Sequence, residues 1–318
     1  MSTASTLDRR TLRALRSERL RRARRYLMLY GFCVIPVAAL FVFHYIPIYG
    51  ILLAFKDFKY NLGILGSPWN NFQHFRDLFT DPFFPRIVRN SVIISVLKII
   101  FAFPAPILLA ILINEIHTPS LKRTIQSISY LPHFMSWVVL AGIIKELLSP
   151  QRGVPYFLFA HVLGAERVPD LLADPEFFRA MLVMTHIWQA IGWGSIIYFA
   201  AISTIDPELY EVAALDGAGR VRVAWHITVP SLVPVITVVF ILQIGRLLSA
   251  GFDQIFNLYH PLVYEVADIL DTYEYRVGIL RGEFGIGTAV GLFKNVIGVT
   301  LLVGANLVIK RYNQYGIW

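Results

Sequence analysis

The sequence is poor in charged residues and contains a single cysteine. Only 16% of its 318 residues are Asp, Glu, Lys or Arg, whereas 56% are hydrophobic, and this balance lies far from that of an average soluble domain. Cys33 falls inside the first apolar segment, so an intrachain disulfide and a cysteine metal cluster are both excluded. The apolar residues occur in long blocks, which is typical of a polytopic helical membrane protein.

Motifs for catalysis and for nucleotide binding are also missing. No Gly-x-x-x-x-Gly-Lys-Ser/Thr phosphate cradle occurs, and the glycine-rich run 285–291 opens an apolar segment, where glycines favour close helix packing. No His/Glu group has metal-ligand spacing, and His44, His133 and His186 are scattered along the chain. We therefore expect no enzymatic activity, no metal site and no cofactor on this chain.

Six apolar segments approach the roughly 20 residues that a bilayer-spanning helix requires. The first runs from Tyr26 to about Phe55 and shows no convincing cleavage site, so we interpret it as an uncleaved span. The other five are Ile87–Ile113, Ile125–Leu148, Phe177–Ser203, Ser231–Ala250 and Ile286–Ile309. Pro104 and Pro106 are expected to kink the second span. The sequence predicts an all-α membrane domain of six spans over residues 26–318.

Basic residues are concentrated on one side of these predicted spans. Residues 1–25 contain nine arginines against Asp8 and Glu18, and they lack the interleaved aromatic residues of a nucleic-acid-binding arm. Further basic pairs follow the second, fourth and sixth spans: Lys122 and Arg123, Arg220 and Arg222, and Lys310 and Arg311. By the positive-inside rule, the basic arm and both termini are expected in the cytoplasm.

A polar stretch between the fourth and fifth spans, residues 204–230, has its own helix signals. Asp206 is a good N-cap, and Pro207 suits the first helical position. Gly217 can adopt the positive φ that ends a helix, and Pro230 is expected to close a second helix. This stretch, named here the coupling loop, is predicted to be a helix pair outside the bilayer on which another protein docks. Small residues permit that close approach: Ala213, Ala214, Gly217, Ala218 and Gly219.

The run Glu-Val-Ala-Ala-Leu-Asp-Gly-Ala from Glu211 to Ala218 resembles the cytoplasmic loop of binding-protein-dependent ABC importer permeases. In that family the loop begins Glu-Ala-Ala, places Asp-Gly-Ala five residues after the Glu, and ends in Leu-Pro. Here Val212 and Val229 are apolar replacements within the pattern. The resemblance implies the six-span type I importer fold with a cytoplasmic coupling helix pair. It assigns contact with the ATPases to Glu208, Glu211, Val212, Ala213, Ala214, Leu215, Asp216, Gly217, Ala218, Gly219 and Arg220.

Other segments are similar to permeases of the polysaccharide and complex-oligosaccharide branch of this family. They include Tyr45-Ile46-Pro47-Ile48-Tyr49-Gly50, the run 250–259, and the C-terminal Gly316-Ile317-Trp318. The chain is similar to the first of the two permeases in alginate importers. The resemblance implies a bacterial inner-membrane location, a saccharide substrate and no nucleic acid. It also implies a second homologous permease, two cytoplasmic ATPase subunits that hold ATP and Mg, and an extracytoplasmic solute-binding protein.

Polar residues inside the spans are candidates for the substrate path, because such residues are costly in lipid. His186, Gln189 and Trp193 share one face of the fourth span, and Trp188 and Tyr198 add aromatic surface of the kind that stacks on sugar rings. Core packing is an equally weighted interpretation of this aromatic face. The complete candidate set is Lys98, His186, Trp188, Gln189, Trp193, Tyr198, Gln243, Arg246, Lys294 and Asn295.

Three of these candidates are cations without an acidic partner in their own spans: Lys98, Arg246 and Lys294. We predict that they line an outer cavity for an anionic saccharide such as a uronate oligomer. The alternative is that each snorkels to the headgroups or pairs with a carboxylate of the partner permease. A same-fold importer of another solute remains open. An ion-coupled secondary transporter is disfavoured, because the spans contain almost no carboxylates.

Overall fold

The computed structural model describes residues 26–165, 167–313 and 316–317, so the predicted basic arm lies outside it. Within the described residues there is no strand, and one antiparallel bridge joins Lys56 and Trp69. The main helices are α1 (Leu29–Phe55), α2 (Gln73–Thr80), α3 (Phe84–Asn114), α4 (Pro119–Phe134), α5 (Trp137–Leu147), α6 (Pro175–Ile202), α7 (Pro207–Leu215), α8 (Arg220–Gly245), α9 (Phe252–Leu258), α10 (Leu270–Glu274) and α11 (Phe284–Asn313). Short helices lie at Gly63–Gly66, Val154–Tyr156, Pro261–Val263 and Tyr264–Ala267, and π-helical turns at Phe41–Tyr45, Lys98–Ala102, Phe157–Val162, Ala224–Thr228 and Tyr275–Leu280.

Five described helices are long and apolar enough to span a bilayer, namely α1, α3, α6, α8 and α11. The segment predicted as the third span, Ile125–Leu148, is not one straight helix, because α4 and α5 are bent by 103° relative to each other. Pro132 lies just before the break, Met135 adopts extended backbone, and Ser136 starts α5 by accepting the Val139 N–H at 3.4 Å. Counted as one broken span, this pair gives six and agrees with the predicted fold class.

Three prolines that we expected to bend or end helices, Pro104, Pro106 and Pro230, lie within continuous ones. Pro104 follows the π turn of α3, and Pro230 follows the π turn of α8. In the π turn of α3, the Phe103 N–H donates a hydrogen bond to the Lys98 carbonyl, five residues earlier, at 3.1 Å. This wider turn leaves room for a proline ring, which would otherwise collide with the carbonyl four residues before it. The prediction that Pro230 closes a helix is therefore wrong, and α8 runs on to Gly245.

Buried side chains form three clusters that hold the helices together. The first joins α3, α5, α6 and α9 and includes Leu140 and Ile255. The second joins α2, α3, α10 and α11 and includes Ile87. The third joins α3, α6 and α8 near the coupling loop and includes Ile202 and Leu232. Because lipid is as apolar as these side chains, close packing rather than water exclusion must hold the membrane-embedded parts together.

Gly192 sets the close approach of α6 to α4. A Cβ added at Gly192 would overlap the backbone of Ser129 and Tyr130, which has no freedom to move aside as a flexible side chain would. Gly192→Leu is therefore expected to destabilise the protein by about 1–3 kcal/mol or more, as overpacking does. The measurement is the thermal unfolding midpoint of the detergent-purified protein.

Gly304→Leu is the matched control for this substitution. Gly304 also lies in a spanning helix, but an added Cβ there meets no atom within 4 Å. This control is expected to have the same thermal unfolding midpoint as the native protein. Equal midpoints for the two variants would show that the α4–α6 contact is not close-packed in the way described.

Candidate functional site

The coupling loop consists of α7, a tight turn and the first residues of α8. The Asp206 carboxylate accepts the Glu208 N–H at 3.0 Å, and Pro207 occupies the first turn of α7. Gly217 has a φ of +71°, and Gly219 is extended. Local capping and turn chemistry thus form this element as the sequence predicts.

The coupling loop exposes most of its side chains. Every residue assigned to ATPase contact is exposed except Ala213 and Ala218, which are half-buried. Leu215 is 89% exposed and Val212 57% exposed. Apolar side chains grouped on an exposed polar element are typical of a protein–protein interface.

Two contacts hold the coupling loop in place, one within the loop and one to the end of α3. The Tyr210 hydroxyl lies 3.2 Å from Thr228 Oγ1 in α8, and Arg220 lies 3.8 Å from Glu115 just after α3. The ion pair is largely exposed, so its own contribution to stability is small. These contacts join α7 to α8 and the start of α8 to the end of α3, and α8 then continues unbroken to Gly245.

A cavity of about 500 Å³ lies between α3, α6 and α8. Five of the predicted substrate-path residues border it: Lys98, His186, Trp193, Tyr198 and Gln243. The rest of the lining is mainly apolar, with only a few polar groups converging on the space. That combination is typical of a small-molecule site, for which volumes of about 300–1,000 Å³ are usual.

An aromatic platform forms at the edge of this cavity. The Trp193 indole stacks on the His133 ring with centroids 4.7 Å apart and planes 3° apart, and Phe134 meets it edge-on at 5.7 Å. Trp193 remains 47% exposed, so part of the indole is free to contact a ligand. His133 lies at the end of α4, just before the break, so this end of α4 forms part of the platform.

Lys98 is held at the cavity by polar groups from distant parts of the chain. Its Nζ donates to the Ala250 carbonyl and to Gln254 Oε1, both at 2.6 Å. Gln254 Nε2 in turn donates to the Leu182 carbonyl at 2.7 Å and to Thr185 Oγ1 at 2.8 Å. The network joins α3, α6 and α9.

The other predicted candidates lie elsewhere. Lys294 and Asn295 border a second cavity of about 630 Å³. There the Lys294 ammonium pairs with Asp271 at 2.5 Å and Glu274 at 2.7 Å. Arg246 is exposed just past the end of α8. The structure thus places the three predicted cations in three separate settings, and Arg246, Trp188 and Gln189 border neither cavity.

The segment between α8 and α11 is fixed by a buried polar network. Arg276 forms two hydrogen bonds with the Asp268 carboxylate, at 3.1 and 2.6 Å, and Asn90 Nδ2 donates to the Asp268 carbonyl at 3.1 Å. Burial alone would lower the pKa of Arg276, but the bonds and charge of Asp268 outweigh it and raise that pKa. Burial and the hydrogen bond to Asp81 raise the pKa of Tyr273. This segment is therefore a firm support for Gln254 and Asp271.

Sequence reasoning did not identify four residues that shape these sites: His133, Gln254, Asp271 and Glu274. Gln254 lies in the run 250–259 that carries a family resemblance, but its contact with Lys98 spans 156 residues. In the sequence, His133 stands out only as one of three scattered histidines. Lys294 and Asp271 are only 23 residues apart in the sequence, and this short separation is the signal that could have indicated their pairing.

The helical bundle, the exposed loop and the membrane cavity define a membrane transport subunit. Residues 83–314 match the family described as "Binding-protein-dependent transport system inner membrane component". The chain belongs to this family of ABC permease subunits, which are not enzymes themselves. The predicted permease fold and the predicted non-enzymatic role are thereby confirmed.

The relatives of the chain are permeases and transporter subunits. Protein LplB of Bacillus subtilis (strain 168) is 43% identical over 277 residues, which cover 87% of this chain and 86% of the relative. The polygalacturonan/rhamnogalacturonan transport system permease protein YteP of the same organism is 41% identical over 293 residues, covering 92% and 89%. A crystal structure of a bacterial ABC transporter involved in the import of the acidic polysaccharide alginate matches with a TM-score of 0.83 and 36% identity, covering 93% of this chain and 99% of that chain.

Proposed function

We propose that this chain is the membrane permease subunit of an ATP-driven importer of oligo- or polysaccharides that depends on a solute-binding protein. The exposed coupling loop, in a chain of this family, is the observation that carries the proposal. The names of the relatives support a saccharide substrate. The aromatic platform at Trp193 gives the cavity a surface on which a sugar ring can stack.

The proposal includes four kinds of partner. Two cytoplasmic ATPase subunits bind the coupling loop and hold ATP and Mg, while a second homologous permease completes the membrane pathway. An extracytoplasmic solute-binding protein delivers the sugar, in keeping with a related transporter solved in complex with alginate pentasaccharide-bound periplasmic protein. The excess of basic residues in the N-terminal arm and beside the coupling loop supports a cytoplasmic position for both termini.

The geometry suggests how ATPase movement reaches the cavity. α8 begins inside the coupling loop at Arg220 and continues without a break to Gly245. Gln243, near its far end, borders the cavity. A rigid-body displacement of the loop by the ATPases would therefore tilt or shift α8 and alter the cavity wall, as alternating access requires.

The complex of this chain with its co-expressed genomic neighbours is expected to hydrolyse ATP faster when a sugar-loaded solute-binding protein is added. The measurement is the ATPase rate of the purified complex in nanodiscs, with and without the binding protein. Galacturonate oligomers and neutral oligosaccharides of equal length are the sugars to test. The empty binding protein serves as the control.

Either kind of sugar, if it stimulates the ATPase, supports the saccharide importer. Stimulation only by a non-sugar solute would instead favour an importer of the same fold for that solute. Absence of an associated ATPase, together with transport that persists when the coupling loop is altered, would overturn the proposal.

A further inference from the structure

Lys98 places its side chain deep in the bundle without a direct ion pair in the described part of the chain. Its side chain is only 6% exposed, and it borders the cavity between α3, α6 and α8. An ammonium has three donors, but only two acceptors are present among the described residues, and both are uncharged oxygens. No ion pair joins Lys98 to a carboxylate in that part of the chain. A buried, unpaired charge is costly, and an entering anion would remove that cost.

The surrounding groups hold this ammonium in a fixed place. Both amide hydrogens of Gln254 are engaged by α6, so its Oε1 is turned toward Lys98. Gln254 is only 1% exposed. Gly251 has a φ of +104°, and a Cβ added there would lie 3.0 Å from Lys98 Nζ, so the Gly251 backbone packs against one side of the head group. Such preorganisation is what a selective polar contact requires.

Lys294 provides a comparison within the same chain. It is also a lysine in a spanning helix, but Asp271 and Glu274 neutralise it. Lys294 is thus in direct contact with carboxylates, whereas the two acceptors that Lys98 contacts are uncharged oxygens. Of the predicted cations, only Lys98 borders the cavity between the spanning helices with its charge unpaired.

We propose that Lys98 binds a carboxylate of an anionic saccharide in this cavity and makes the permease prefer uronate over neutral sugars. Gln254 acts as the residue that positions the ammonium, and Trp193 offers a stacking surface beside it. A carboxylate supplies both the missing acceptor and the missing negative charge. The inference rests on the proposed saccharide transport and adds the charge of the substrate and the residue that selects it.

The test uses trigalacturonate and its fully methyl-esterified form, which have the same rings but differ in charge. Their affinities are measured by calorimetry on the complete permease–ATPase complex without the solute-binding protein, so that the preference of that protein does not contribute. The native complex is expected to bind the acid more tightly than the ester. Lys98→Met is expected to weaken binding of the acid by about tenfold or more, because a charge-assisted hydrogen bond is lost, and to leave binding of the ester nearly unchanged.

Three further variants separate charge from structure. Gln254→Glu places a carboxylate beside Lys98, so the preference for the acid is expected to fall although the lysine is still present. Lys98→Arg retains the charge and is expected to retain much of the preference. Lys145→Met removes an exposed lysine at the end of α5 and is expected to change neither affinity.

The outcomes distinguish this inference from the proposed function. A native complex that shows stimulated ATPase activity but no preference for the acid overturns the role of Lys98 and leaves the importer standing. A preference that persists in both Lys98→Met and Gln254→Glu also overturns it. Where Lys98→Met fails to assemble, Gln254→Glu decides the question.

Discussion

Replacing Gly217 with valine is expected to reduce ATP-driven uptake by about tenfold or more. The φ of +71° at Gly217 is a conformation that a β-branched residue adopts only at considerable cost. A Cβ at this position meets no atom of the chain within 4 Å, so the effect comes from the backbone and not from a collision. A distorted turn would move α7 relative to α8, and the ATPases would lose their fixed contact surface. Uptake of labelled oligosaccharide into proteoliposomes measures this effect.

Gly217→Asn is the informative companion variant, because asparagine tolerates the left-handed conformation much better than valine. It is expected to retain most of the uptake. The thermal unfolding midpoint of both variants is expected to stay close to the native value, since the coupling loop is exposed. Native rates in the valine variant would mean that this turn does not transmit movement.

Lys294→Met is expected to lower the free energy of unfolding by about 3–5 kcal/mol, the usual cost of breaking a buried ion pair from one side. The side chains of Lys294 and Asp271 are each 13% exposed, so removal of the ammonium leaves negative charge in a poorly hydrated place. Asp271 Oδ2 already lacks a hydrogen-bond partner among the described atoms. Thermal unfolding in detergent, followed by intrinsic fluorescence, measures the loss.

A triple variant tests whether the loss comes from unpaired charge. Adding Asp271→Asn and Glu274→Gln to Lys294→Met removes both carboxylates that the lysine neutralises. Much of the stability is then expected to return, because replacing a whole buried ion pair is far less costly than breaking it. A triple variant as unstable as the single one would attribute the effect to lost packing of the lysine stem.

Local chemistry explains why the coupling loop was predictable. The N-cap at Asp206, the proline at Pro207 and the left-handed turn at Gly217 depend on neighbouring residues only, and the structure reproduces each of them. The lengths of the spans also follow from hydropathy, since a bilayer fixes the number of apolar residues that a helix needs. The roles assigned to these residues remain proposals.

The errors arose where tertiary structure overrides a local rule. A proline inside a helical segment usually ends the helix, but in α8 the preceding π turn accommodates Pro230. No simple sequence pattern predicts such a turn. The apolar run 125–148 has the composition of a span, yet its backbone breaks at Met135 and Ser136. Hydropathy is averaged over a window of residues, so it cannot reveal that the backbone changes direction within that window.

The different surroundings of Lys98, Arg246 and Lys294 could not be predicted from the sequence for another reason. Charge and depth are similar for Lys98 and Lys294, but their partners differ in kind: neutral oxygens for one and carboxylates for the other. The partners of Lys98 lie 152 and 156 residues away. Only the packing of α3 against α9 determines that they meet.

The π turn at Ala224–Thr228 also sets the direction in which later side chains of α8 point, relative to those at its start. Successive residues of an α-helix are rotated by about 100°, so the one extra residue of a π turn shifts the phase of everything beyond it. Gln243 therefore points in a direction relative to the coupling loop that an ordinary helix of the same length would not provide. The angle about the axis of α8 between the docking surface and the cavity wall is therefore set by the one extra residue of the π turn. It does not depend on a side-chain contact between the two surfaces.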